Sequence, residues 1–264
     1  MLVDTHCHLD HRELVGDLDG VLARARGAGV GLMVTIGTHL SRVEEQLGIA
    51  RAHRDVVCAV GVHPHHAGEE GIDRPDPLVA LADDPDVVAI GESGLDYHYD
   101  RSPRAVQARS FRAHVEAAQV TGLPLVVHTR EADEDTMAIL EEAMARAPFT
   151  GVIHCYSSSR RLAERATAIG LHLGIGGILT FPRSEELRRT VAAMPPERLI
   201  LETDAPYLAP VPFRGKTNEP ALVAHTAAAL ATLLGTSVAA IEQLTTANAL
   251  RLFAKAAPAV QRAA

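Results

Sequence analysis

Short apolar, β-branched runs recur along the chain at intervals of roughly 20 to 36 residues. They are Leu2 to Thr5, Gly31 to Ile36, Val56 to Val62, Val87 to Ile90, Leu123 to Val127, Gly151 to Ile153, Leu171 to Ile175 and Leu199 to Leu201. Each stops at a polar residue or a glycine. Few polar positions alternate within them, the pattern of strands buried on both faces of a parallel sheet. Between the runs lie Ala-, Leu-, Arg- and Glu-rich segments with helical spacing: Leu14 to Ala28, Ser41 to His53, Arg104 to Thr121, Ala132 to Ala145, Ser159 to Ile169 and Ser184 to Ala193. A shorter, weaker segment follows Leu78. Glu219 to Leu234 and Ser237 to Phe253 add two helices split by Gly235. Pro103 and Gly170 supply a start and a stop.

Eight β–α units in 264 residues predict a single-domain α/β fold, a (β/α)8 TIM barrel. An open doubly wound sheet is the alternative, but no Gly-x-Gly-x-x-Gly loop follows the first run. The barrel is assigned residues 1–255, and the Ala-rich end, 256–264, reads as a frayed tail.

Charge and composition narrow the function. Lys and Arg total 25 against 33 Asp and Glu, a formal net charge of −8. A surface given over to nucleic acid or membrane is excluded, though a local site for an acidic substrate is not, because bound cations reverse a local field. Three cysteines make no disulfide framework. Cys7, Cys58 and Cys155 sit in apolar runs and read as buried thiols. No apolar run approaches the ~20 residues of a membrane span, and no signal peptide is visible, so a cytoplasmic location is expected. The anomaly is 14 histidines beside four tyrosines, five phenylalanines and no tryptophan.

A barrel carries its active site at the C-terminal ends of its strands. Those ends read His6-Cys7-His8, His63-Pro64-His65-His66, Glu92 to Asp96, His128-Thr129-Arg130, His154-Cys155 and Glu202-Thr203-Asp204. Ligand-type side chains are thus concentrated at one end of one sheet. Imidazoles with carboxylates suit a transition metal. His6, His8, Glu92, His128, His154 and Asp204 are more than one tetrahedral ion requires and enough for two, with Glu92 the natural bridge.

The runs Val3 to Asp10, Gly61 to His65, Ile90 to Tyr97, Val127 to Arg130, Ile153 to Tyr156, Leu201 to Leu208 and Arg214 to Pro220 resemble, in order and spacing, the TatD family of metal-dependent hydrolases. The resemblance spans Leu2 to about Phe253. It implies a TIM barrel holding two divalent ions (zinc, manganese or magnesium). One ion falls to His6, His8, Glu92 and Asp204, the other to Glu92, His128 and His154. It also implies a deoxyribonuclease, a 3′–5′ exonuclease on single-stranded or damaged DNA. Glu92 and Asp204 become the catalytic pair, with Asp204 able to take the proton of the attacking water. His63, Arg130, Arg214 and Asp96 are expected at the substrate, Asp96 alternatively as an orienter of a ligand or a turn cap. The family usually has a glycine where Ser158 stands, which leaves the loop after His154 open to question.

The alternative is an ester or amide hydrolase on the same centre, such as an aminoacyl-tRNA deacylase or a small-molecule amidohydrolase. Fold and ligands do not choose between them. A monomer with no obligate protein partner is expected. Tyr97 and Tyr156 are candidates for base stacking or for rim packing. His65 and His66 read as loop residues, and the remaining histidines as surface or helix residues.

Overall fold

The structure, a computed structural model, describes residues 1–257 and residue 259. Its strands are β1 (Leu2–Cys7), β2 (Val30–Ile36), β3 (Val56–Val60), β4 (Val87–Asp96), β5 (Leu125–Arg130), β6 (Gly151–Ile153), β7 (His172–Ile175) and β8 (Leu199–Leu201). They form one sheet in sequence order, and every neighbouring pair is parallel. The ring closes where Asp204 N–H donates to His6 O and His8 N–H donates to Ala205 O, each at 2.8 Å. This is the expected single-domain (β/α)8 barrel.

The helices are α1 (Arg12–Val15), α2 (Leu18–Gly27), α3 (Val43–Ala52), α4 (Ala67–Glu70), α5 (Asp76–Leu81), α6 (Arg104–Thr121), α7 (Asp133–Arg146), α8 (Arg160–Ala168), α9 (Glu185–Ala193), α10 (Val223–Leu234) and α11 (Val238–Leu252). Local chemistry sets their ends. Ser159 caps α8 by accepting from Leu162 N–H, and Ser237 caps α11 by accepting from Ala240 N–H. The first helical segment, expected as one piece, is two, because Asp17 adopts non-helical angles after Gly16.

Two elements depart from the hydrophobic pattern for reasons tied to function. β4 continues six residues past Ile90 through Gly-Glu-Ser-Gly-Leu-Asp. The apolar signal stops there because the polar side chains face the barrel mouth, while pairing with β5 goes on after a register shift between Ile90 and Ser93. β3 ends early, at Val60, because Val62 N–H donates to the His114 ring instead, at 2.9 Å.

The core has two layers. One cluster, including Leu22, Met33, Phe111 and Leu140, lies between strands and helices. The other, including Val57, Val126, Val152 and Ile200, fills the barrel. His63, His128, His154 and Glu202 lie on the inward face of the same strands or their continuations, beyond those apolar side chains. Phe253, Ala256 and Ala259 join the inner cluster and close its floor. Lys255 anchors them by donating to Ala82 O and Asp84 O, at 2.6 and 2.7 Å. The frayed tail expected from residue 256 is therefore corrected: packing reaches Ala259 because the barrel floor needs these small apolar groups. The rest of the expected tail, 258 and 260–264, lies outside the described residues. Among the described residues no single helix is long and apolar enough to cross a membrane.

Candidate metal centre

Glu92 is the hub of the barrel mouth. Its carboxylate meets four imidazoles: His154 Nε2 at 2.7 Å, His128 Nδ1 at 3.0 Å, and His6 Nε2 and His63 Nε2 at 3.6 Å. Burial pushes the carboxyl upward. The charges of His154 and His63 and the hydrogen bonds of His128 and His154 outweigh it and hold Glu92 well below the carboxylate range. Burial pulls His154 down, yet Glu92 and Glu202 raise it well above the usual histidine range. The acid groups thus favour protons on His128 and His154, while burial works against them on His6 and His63.

The expected ligands all converge. His6 Nε2 lies 3.7 Å and His8 Nε2 3.5 Å from Asp204 Oδ1. His6 stacks on His154 with centroids 3.8 Å apart and planes at 12°. Neither ring nitrogen of His6 has a hydrogen-bond partner, although the residue is fully buried. Buried polar atoms in this state call for an absent partner, and a nitrogen-and-carboxylate donor set fits a divalent transition metal. His6, His8, Asp204 and Glu92 would hold one ion; Glu92, His128 and His154 would hold another.

Outer groups aim the rings. His8 Nδ1 sits 3.3 Å from Ile36 O, which leaves Nε2 toward Asp204. His128 Nε2 sits 3.1 Å from Asp96 Oδ2, which leaves Nδ1 toward Glu92. Gly94 makes room for this strand pairing: its φ is +149°, and a Cβ there would collide with the His128 carbonyl.

Asp96 lines the cleft, and its contacts within the protein are those of an orienter. It is buried, its Oδ2 faces both His65 and His128, and its Oδ1 accepts from His98 and Tyr99 N–H. Both alternatives foreseen for it, ligand orientation and turn capping, are realised at once. His65, read as a loop residue, is part of this network at 3.0 Å.

The centre forms the floor of a cleft of about 1210 Å³, lined among others by His63, Arg130 and Tyr99. His63 Nδ1 accepts from His65 N–H at 3.1 Å, so the proton of the neutral ring sits on Nε2. Burial first, then neighbouring imidazoles, hold His63 well below the usual range. Arg214 is not in this cleft. It lies over the Phe181 ring at 4.2 Å and lines a neighbouring hollow of about 390 Å³, beside the mouth. Tyr156 is buried against the loop, its hydroxyl donating to Ser158 O and Ser159 O, and Tyr97 donates to Asp135. Ser158 bonds Asp133 through its hydroxyl, with no left-handed backbone at that position. Of the thiols, Cys7 and Cys58 are buried as expected, whereas Cys155 is half-buried just past β6 and lines the cleft.

Sequence reasoning passes over Glu202 and Tyr99. Glu202 Oε1 lies 3.6 Å from His154 Nδ1 and accepts from Cys155 N–H. Gly174 permits it, because a Cβ there would strike the carboxylate. The signal was present in Glu202, two residues before Asp204. Tyr99 stands half-exposed at the rim with Arg130 at 4.8 Å and Arg101 at 5.5 Å from its ring. No spacing rule in the sequence brings these three together.

Known proteins resemble this chain over nearly its whole length. A family model described as TatD related DNase matches residues 3–254. An Escherichia coli (strain K12) protein named uncharacterized metal-dependent hydrolase YcfH is 40% identical, over 96% of this chain and 95% of its own length. An Erwinia tasmaniensis protein named 3′-5′ ssDNA/RNA exonuclease TatD is 37% identical, over 96% of this chain and 99% of its own. The crystal structure of an Escherichia coli TatD homologue, YjjV, superposes with a TM-score of 0.89 at 31% identity, covering 96% of this chain and 98% of that one.

Proposed function

This chain belongs to the TatD-related DNase family of metal-dependent hydrolases, and from that premise we propose that it removes nucleotides from the 3′ end of single-stranded DNA. The observation that carries the reading is Tyr99 at the cleft rim between two guanidinium groups. Guanidinium groups held over an exposed ring offer a base a planar stacking platform and its phosphate a charge partner. The Erwinia relative named as an exonuclease supports it.

Two divalent ions, zinc or manganese before magnesium, would supply an acidified water and neutralise phosphoryl charge. The protein's own groups do the rest. Glu92 holds the imidazoles in one cluster. Asp204, ionised and at the edge of the cleft, takes the proton from the attacking water. His8, 3.5 Å away, steadies that carboxyl. His63 offers its Nε2 proton to a phosphate oxygen. Arg130 and Tyr99 orient the strand. The net −8 is no obstacle, because the cleft's own cations and its ions set the local field. Three free thiols suit work in the cytoplasm.

The test is digestion of end-labelled single-stranded DNA by the metal-loaded protein, beside ester, amide and aminoacyl-tRNA substrates. Stepwise shortening from the 3′ end, abolished by chelation and by Glu92→Gln, is expected. Metal-dependent acyl hydrolysis without nuclease activity would overturn the reading and favour the deacylase or amidohydrolase alternative.

A further inference from the structure

A second cluster of metal-type ligands sits on the wall of the cleft, apart from the Glu92 centre. His39 follows β2, His66 lies in the turn after β3, and Glu69 is on α4. One ring nitrogen of each histidine and a carboxylate oxygen of Glu69 lie within 4.8 Å of one another. The two rings lie close together, centroids 3.7 Å apart and planes tilted by 36°. We propose that His39, His66 and Glu69 form an accessory binding site for a transition-metal ion such as zinc.

The donors are already prepared. His39 Nδ1 is taken by the Thr38 hydroxyl at 2.9 Å, which leaves its Nε2 for an ion. His66 Nδ1 is 3.3 Å from Glu69 Oε2, a separation an ion would replace by two shorter bonds. Two imidazoles and one carboxylate leave a fourth position open. Burial, and then the neighbouring His66, lower the pKa of His39, which favours the neutral ring that a metal needs. The competing charge is Arg42, and it is engaged by Glu45 at 2.6 Å and Asp10 at 3.8 Å.

The site has a structural consequence. Its ligands come from the loops after two adjacent strands, so an ion there clips together two walls of the cleft. His63 links it to the main centre, with ring centroids 6.3 Å from His66 and Nε2 3.6 Å from Glu92.

Zinc titration into the chelator-stripped protein tests it, with bound metal counted by atomic spectroscopy. The double variant His39→Gln/His66→Gln should bind one equivalent less than wild type, whatever number the Glu92 centre takes. Zinc should also raise its melting temperature less. Glu69 is on the surface, so Glu69→Gln folds normally and should weaken that one equivalent at least tenfold. An anomalous zinc peak within bonding distance of a ring nitrogen of each histidine and of the Glu69 carboxylate would complete the support. Identical zinc stoichiometry and affinity in wild type and both variants would overturn it.

Discussion

Asp96 Oδ2 lies 3.1 Å from His128 Nε2, on the side of the ring away from Glu92. The carboxylate thereby fixes which nitrogen of His128 faces the metal centre. Carboxylate–histidine pairs of this kind are worth about 10- to 100-fold in metal affinity. Asp96→Asn keeps the shape and removes the charge. Chelator competition should show metal binding weakened by about that factor. Unchanged affinity would mean that the pair serves folding alone.

Metal loading should release protons. His128 and His154 are both raised by the surrounding carboxylates, and an ion must displace what they hold. Titration calorimetry near neutral pH, in buffers of different ionisation enthalpy, should give heats that vary with the buffer. Acidification should strip the metal for the same reason, and chelation should abolish hydrolysis reversibly. Heats independent of buffer would contradict this.

His114 gives a pH signature away from the centre. Burial lowers its pKa to about 4 from 6.5. The folded protein keeps the ring neutral, with Nδ1 2.7 Å from Ser110 O and Nε2 accepting from Val62 N–H. Its contribution is complete above pH 6.5 and is lost as the pH falls toward 4, because the unfolded chain takes up the proton first. The stability gap between wild type and His114→Asn should shrink by about 3 kcal/mol over that interval. Denaturant midpoints measured at several pH values would show it, and a constant gap would refute it.

Tyr99→Ala separates binding from chemistry. Stacking on an aromatic ring is worth about 1 to 3 kcal/mol per base. KM for single-stranded DNA should rise by roughly the corresponding 5- to 150-fold, with kcat little changed. Loss of kcat at unchanged KM would place Tyr99 elsewhere in the reaction.

Thr203→Val tests the seam of the barrel. The Thr203 hydroxyl donates to Asp4 Oδ2 at 2.6 Å, and the Thr203 N–H donates to Asp4 Oδ1 at 2.9 Å. Removing the hydroxyl leaves a buried carboxyl oxygen short of a donor, at a cost of about 1 to 3 kcal/mol in urea unfolding. Because the next residue is Asp204, metal affinity should fall with it. A stability loss without a metal effect would uncouple seam from site.

The sequence states much of this plainly. The barrel is legible because eight apolar runs have the length and spacing of buried parallel strands. The ligands are legible because side chains two apart on a strand share a face, which puts His6 and His8 together, and because polar residues end the runs at the same side. What stays hidden depends on distance in space. Asp96 reads equally as cap and as orienter until His128 is seen beside it. Glu202 looks like any charged strand end until His154 Nδ1 faces it. Arg214 carries a family signal, yet Phe181, from the loop after β7, holds it in the neighbouring hollow. The alanines after Phe253 have the composition of a loose end, and only the barrel floor explains their burial.

The seam has a temporal meaning. The bond pairs that close the ring join the first strand to residues about 200 positions later, as Asp4 to Thr203 does across 199. The floor waits longer still, for Phe253 and Ala256. During synthesis, His6 and His8 emerge nearly 200 residues ahead of Asp204 and stand without it until then. A nascent chain cannot assemble the complete ligand set early, and C-terminal truncation should cost the whole barrel rather than an appendage.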